Sequence, residues 1–138
     1  TDIVMMLNGA LAGLVAITAE PLTPGPITAM IIGSIGAVIM YYGTKLLENF
    51  GLDDVVGAIP VHMFAGIFGT LVVPLTNADT SFGTQLIGVI SVCVFSFVLS
   101  WITFSTLKST VGLRISRAAE KQGTDKAEVG VIAYSIRD

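Results

Sequence analysis

Two features of this chain have the residue types and spacing to do chemistry: one imidazole and one pair of carboxylates. His62 is the only histidine, and it lies in the apolar stretch Gly57-Ala-Ile-Pro-Val-His-Met-Phe-Ala-Gly-Ile-Phe-Gly-Thr70. An ionisable group inside a membrane-length apolar helix is by default a functional group, because polarity is costly there. A neutral imidazole offers one donor and one acceptor nitrogen. That suits a passage for a small polar species or a proton relay, and it equally suits a hydrogen bond that links two helices. Asp53 and Asp54 stand just ahead of the same stretch. Carboxylates there can cap a helix start and favour the positive end of its dipole; they can also line the mouth of a pore and attract cations. Nothing else resembles a reaction centre. There is no nucleotide loop, no HExxH, no GxSxG and no cluster of metal ligands, and the lone Cys93 gives no intrachain disulfide and no CxxC site. An enzyme, a metal and a cofactor are therefore not expected, and no basic cluster suggests nucleic acid.

The elements that must hold these groups are long and apolar. Of 138 residues, 53% are hydrophobic and 12% charged, and the mean hydropathy is +0.83. Soluble domains carry about 25% charged residues, so the composition points to a membrane protein. Four apolar runs are predicted to be transmembrane helices: 3–19, 27–47, 55–75 and 85–107. At about 1.5 Å per residue, about 21 residues reach about 32 Å, enough for a hydrocarbon core of about 30 Å. The fold class is thus an all-α polytopic membrane protein, with residues 1–110 as the membrane part and 111–138 as a tail. Glu20 falls in the first loop between Ala19 and Pro21; it either adds negative charge to a vestibule or solvates the loop. Asn8, polar within the first run, is expected to bond across helices.

Charge in the connections gives direction. Of the seven basic residues, Lys45 closes the second run, and Lys108, Arg114, Arg117, Lys121, Lys126 and Arg137 all follow the fourth. All fall on one side of the predicted bilayer, and the positive-inside rule makes that side cytoplasmic. The sequence opens Thr1-Asp2, with no initiator methionine and no basic signal region, almost directly in an apolar run; it reads as a piece of something longer.

Small residues recur at helical spacing: Gly9 and Gly13; Ala29, Gly33 and Ala37; Ala58, Ala65, Gly66 and Gly69. Such faces let backbones approach closely in lipid. The third group lies at helical spacing from His62, so the imidazole is expected to look into the bundle. The fourth run differs, with Phe95, Phe97, Trp101 and Phe104 on all sides. It reads as a long peripheral helix facing lipid or a neighbouring subunit, with Trp101 at the interface belt.

Taken together, Asn8-Gly-Ala-Leu-Ala-Gly-Leu-Val-Ala-Ile-Thr18, Asp53-Asp54, Val61-His62-x-x-x-Gly66-Ile67-x-Gly69-Thr70, Gly112-Leu-Arg114 and Gly123-x-Asp125 with Gly130-x-x-Ala133-Tyr134 resemble the ammonium transporter (Amt/Mep/Rh) family, its bacterial Amt branch above all. The resemblance covers the whole chain in order and is specific in combination. It implies the C-terminal third of an eleven-helix inverted-repeat fold, four helices plus a cytosolic tail, in the plasma (inner) membrane. It implies ammonium as substrate, with methylammonium as its analogue: ammonium is deprotonated, and ammonia is conducted along a hydrophobic pore. His62 matches the second of two pore histidines, with Ala58 and Val61 beside it on the substrate pathway. Asp53 and Asp54 match the acidic pair at the cytoplasmic mouth or helix cap. Arg114, Gly123, Asp125, Gly130 and Tyr134 match a regulatory tail that couples subunits of a homotrimer, and a PII-type signalling protein is an implied partner. Two positions depart from the pattern: the family often has Gly-Cys at Glu20-Pro21, and a histidine where this chain has Val129. An Amt-like ammonium sensor, or a structural membrane module in which His62 only links helices, are the alternative functions.

Overall fold

The computed structural model describes residues 2–133, and Tyr134 lies outside them. Every regular element among the described residues is helical, and none is a strand. Helix α1 spans Ile3–Ile17, α2 Pro26–Asn49, α3 Ala65–Val72, α4 Phe82–Thr110 and α5 Arg117–Gln122. A π-helical turn, Ile59–Phe64, leads directly into α3, which tightens into a 3-10 turn at Val73–Leu75. A second π-helical turn, Asp125–Val129, follows α5.

Two of these helices, α2 with 24 residues and α4 with 29, are long and apolar enough to cross a membrane. α1 and the continuous helix Ile59–Leu75 are apolar but shorter. The third apolar run extends back to Val55, but its helix starts later. Asp54 to Gly57 form a turn closed by a hydrogen bond from the Gly57 amide to the Asp54 carbonyl, 3.1 Å. Gly57 takes φ +72°, a left-handed conformation no helix interior accepts. Apolar character therefore continues through Val55-Val56 while the backbone does not.

The chain divides into two compact units, Thr1–Cys93 and Val94–Asp138. In the first, α1 packs along α2, and α3 with its π-turn packs against both. The seam is built from missing side chains. A methyl group on Gly13 would lie 3.1 Å from the Gly33 carbonyl oxygen, and one on Gly36 would lie 2.9 Å from the Ala12 carbonyl and 2.6 Å from the Ala16 methyl. One on Gly69 would overlap the Ala16 carbonyl. Ala12, Met40, Val61 and Ala65 form the buried centre, with Met5 and Val15 packed on it. Lipid supplies no hydrophobic drive between helices, so close backbone contact of this kind holds them together.

The second unit begins within α4, which has no buried residue along its length. Its tail is locally knit. The Ser116 hydroxyl accepts from the Ala119 amide at 3.2 Å and caps α5, and Arg114 meets Glu120 at 3.5 Å in an exposed pair. Such a pair contributes little, since both groups are screened by solvent.

Candidate functional site

His62 sits in the π-helical turn, one position past the buried line. Val61, Ala65, Gly69 and Val73 are buried against α1 and α2, whereas Ala58, His62 and Met63 are exposed. The sequence predicts an imidazole on the small-residue face looking into the bundle; within this chain it lies beside that face's tightest line and not on it. The reason is geometric. A uniform α-helical spacing puts Ala58, Ala65, Gly66 and Gly69 on one face with His62. The chain runs through a π-turn here, with wider i to i+5 closure, and the tight face passes through Val61 instead. Within this chain the imidazole therefore flanks the three-helix seam and remains open.

The start of its helix is fully capped. A helix N-terminus leaves four backbone amides without intrahelical partners. Here the Asp54 carboxylate accepts from the Ala58 amide at 2.9 Å through Oδ1 and from the Ile59 amide at 2.7 Å through Oδ2. Pro60 has no amide hydrogen to satisfy. The Val61 amide then donates to the Gly57 carbonyl at 3.1 Å, the first helical bond. The carboxylate also lies at the positive end of the helix dipole. Asp53 behaves differently from its neighbour. No hydrogen bond to its carboxylate occurs among the described residues. It lines a cavity of about 200 Å³ with Thr44, Glu48, Asp54, Gly57 and Pro60. This cavity opens beside the capped end, and Glu48 on its lining is paired with Lys45, Nζ to Oε2 3.3 Å.

At the other ends of these helices, Glu20 joins two loops. Its Oε2 accepts from the Asn77 side-chain amide at 2.8 Å, across 57 positions of sequence. Its Oε1 accepts from the Leu22 amide at 3.3 Å. The Asn77 amide, and then the Leu22 amide, hold the Glu20 carboxyl below the usual glutamate range. By sequence alone Glu20 fits either a vestibule or a solvated loop, since no local signal ties it to a residue so distant.

In the tail, Asp125 organises the Gly123–Ala133 segment. Its Oδ2 accepts from the Ala133 amide at 2.8 Å, and its carbonyl accepts from the Val131 amide at 3.3 Å and from the Gly130 amide. Gly123 has φ +96°, and a methyl group there would lie 2.7 Å from Asp125 Oδ1. The spacing Gly123-x-Asp125 and Gly130 thus follows from one closed turn. The Ala133 and Lys126 amides hold the Asp125 carboxyl below the ordinary value, with a smaller contribution from the Lys126 charge. A depressed pKa stabilises the fold above the unfolded value and loses that contribution as pH falls through the folded one. Exchange of the Ala133 amide is therefore expected to stay slow on acidification until below about pH 4, the ordinary aspartate value, and to accelerate there. An Asp125→Ala chain should exchange quickly at every pH; equally slow exchange in that variant would show that the carboxylate does not hold the turn.

Helices without a strand among the described residues, two of them apolar and of membrane-crossing length, and one open imidazole at a capped helix start are consistent with a helical membrane protein that sets a polar group along an apolar helix. The chain belongs to the Ammonium Transporter Family, which it matches over residues 1–134. It is 38% identical to the ammonium transporter Amt2 of Archaeoglobus fulgidus, covering 96% of this chain and 33% of that protein. It is 38% identical to the putative ammonium transporter sll0537 of Synechocystis sp., covering 89% of this chain and 25% of that protein. With the ammonium transporter Amt2 of Methanocaldococcus jannaschii it shares 34% identity over 96% of this chain and 34% of the relative. The chain thus spans about a third or less of the length of these relatives.

Proposed function

We propose that this chain forms part of an ammonium transporter, and that His62 lines the path that ammonia takes. The observation that carries the reading is the family match over residues 1–134, together with relatives that are themselves named ammonium transporters. Physical chemistry supports the form of the mechanism. Taking an ammonium ion out of water costs several kcal/mol even after relaxation. Releasing the proton first removes most of that cost, and neutral ammonia then needs only hydrogen-bonding partners. A neutral imidazole supplies one donor and one acceptor without repelling it. His62 is suited to this because it stands open beside the seam with Ala58 exposed next to it; Val61, expected beside them on the path, is buried in the seam within this chain and fixes the helix from behind. No Asp, Glu, Lys or Arg lies between Asp54 and Asp79, so no fixed charge of this stretch competes with it.

The finer architecture is part of the same proposal. Residues 1–110 contribute four spans of an eleven-helix inverted-repeat fold, and 111–138 form a cytoplasmic tail. α1 and Ile59–Leu75 cross the apolar layer despite their shorter helices because the loops flanking them are themselves partly apolar. Basic residues on one side only set the orientation in the plasma membrane. The assembly is a homotrimer, with Arg114, Gly123, Asp125, Gly130 and Tyr134 coupling subunits and a PII-type protein docking on the cytoplasmic face. Asp53 and Asp54 then sit at the cytoplasmic mouth, where their negative charge raises the local concentration of cations.

The test is methylammonium uptake by the complete gene product with His62→Ala. Loss of one hydrogen-bonding partner in an apolar path is expected to slow uptake by about tenfold, with assembly and membrane abundance unchanged. Uptake at the parent rate, in a normally assembled protein, removes His62 from the path.

A further inference from the structure

We infer that Asn8 is a positioning residue for His62, acting through the turn that starts the histidine's helix. The Asn8 side-chain amide donates to the Val56 carbonyl at 2.9 Å, across 48 positions of sequence. Val56 belongs to the capping turn, outside the helix proper. The turn's inward groups are already satisfied: Asp54 takes the Ala58 and Ile59 amides, and Gly57 takes the Val61 amide. Val56 presents its carbonyl towards α1 instead, and Asn8 meets it there. The site is shaped for this bond. Gly57 is buried with φ +72°, and a methyl group on it would lie 2.5 Å from Asn8 Nδ2. Only glycine leaves room for the amide and accepts the backbone angle.

What this bond adds is direction. The Ile59–Val72 helix otherwise meets α1 by close packing of small and apolar residues, Ala12, Ala16, Val61, Ala65 and Gly69 among them. That packing sets how the two helices cross, but the capping turn at Val56 lies outside the buried line and is not held by it. A hydrogen bond between two named atoms is directional, and this one ties the capping turn, at the exposed Val56, to a fixed point on α1. Val56 lies six residues before His62, so rotation of the capping turn re-aims the imidazole. By pinning that turn to α1, Asn8 fixes which way His62 faces, although it never touches it. The inference rests on the proposal that His62 lines the ammonia path.

The test is a double-substitution cycle on the complete gene product, read by methylammonium uptake at equal membrane abundance. Asn8→Ala removes the donor, and Gly57→Ala pushes the donor away, so both break one contact. Each is expected to lower the maximal rate by about two- to tenfold, the net worth of one hydrogen bond, with the half-saturating concentration unchanged. The double variant is expected to be no slower than the slower single variant. A maximal rate for Asn8→Ala equal to the parent's, or a double variant whose loss is the product of the two single losses, overturns the proposal. Hydrogen exchange over residues 58–64 gives a readout that does not depend on transport: it is expected to quicken in Asn8→Ala, and unchanged exchange also overturns the tether. If His62→Ala leaves uptake intact while exchange still quickens in Asn8→Ala, the path through His62 fails and the Asn8 tether stands.

Discussion

Gly69→Leu is expected to unfold the three-helix seam. A single carbon at Gly69 already overlaps the carbonyl oxygen of Ala16, and that atom belongs to the backbone of α1, which cannot swing aside as a side chain does. A leucine puts four carbons there. Overpacking of a well-packed core costs about 1–3 kcal/mol when neighbours can rotate away; here α1 must separate from α3, so the upper end or more is expected. The Gly13 to Gly33 approach and the Gly36 to Ala12 approach lie along the same interface, so displacement of α1 opens these as well. The measurement is the melting temperature of the detergent-solubilised protein, followed by size-exclusion chromatography. Gly88→Leu is the matched control, because a carbon on Gly88 in α4 meets nothing within 4 Å. The expected result is a lower melting temperature, or aggregation, for the first and none for the second. Equal melting of both variants would refute a seam held by backbone contact.

The same seam shows how far the sequence could be read. Glycine and alanine at four-residue spacing correctly marked α1, α2 and α3 as helices that approach closely. They did not give the register. The small residues Ala29, Gly33 and Ala37 suggested the inner face of α2, but the buried line is Ile32, Gly36, Met40, Gly43 and Leu47. Large residues fill the wide parts of the interface and glycines the narrow parts, so a count of small residues alone finds the crossing points and not the face between them. The position of His62 beside the tight seam, and not in it, has a related cause. Its orientation was projected on a uniform 3.6-residue helix, whereas a π-turn carries it, and no residue type announces such a turn. Bonds between distant positions, Asn8 to Val56 and Glu20 to Asn77, were beyond reach in detail. Asn8 was recognisable as a polar group needing a partner, but the partner is a backbone carbonyl, which any residue would supply. The neighbours Asp53 and Asp54 illustrate the opposite limit: identical in type and adjacent in sequence, they could not be told apart before their geometry was known.

That distinction makes a second large effect. Asp54→Ala is expected to destabilise the start of the His62 helix by about 2 kcal/mol, within the range for losing a helix cap and a charge-assisted acceptor. Two amides lose their acceptor at once, those of Ala58 and Ile59. The next residue is Pro60, which has no amide hydrogen to share in a rearranged cap, and the left-handed Gly57 prevents the preceding backbone from continuing the helix. The sequence offers no local substitute except Asp53, whose carboxylate is one position out of register. Asp54→Asn should lose less, since asparagine ranks beside aspartate as a cap but brings one acceptor oxygen for two amides. Asp53→Ala should leave stability near the parent, because its carboxylate holds no backbone group among the described residues. If its charge instead draws cations to the cavity beside Thr44 and Glu48, Asp53→Ala will weaken uptake at low methylammonium and at low ionic strength, where electrostatic attraction is least screened. Stability and uptake thus separate the two carboxylates: one variant should lose both, the other only the second. Equal losses of stability in Asp53→Ala and Asp54→Ala would contradict the capping geometry, because only one of the two carboxylates reaches the helix.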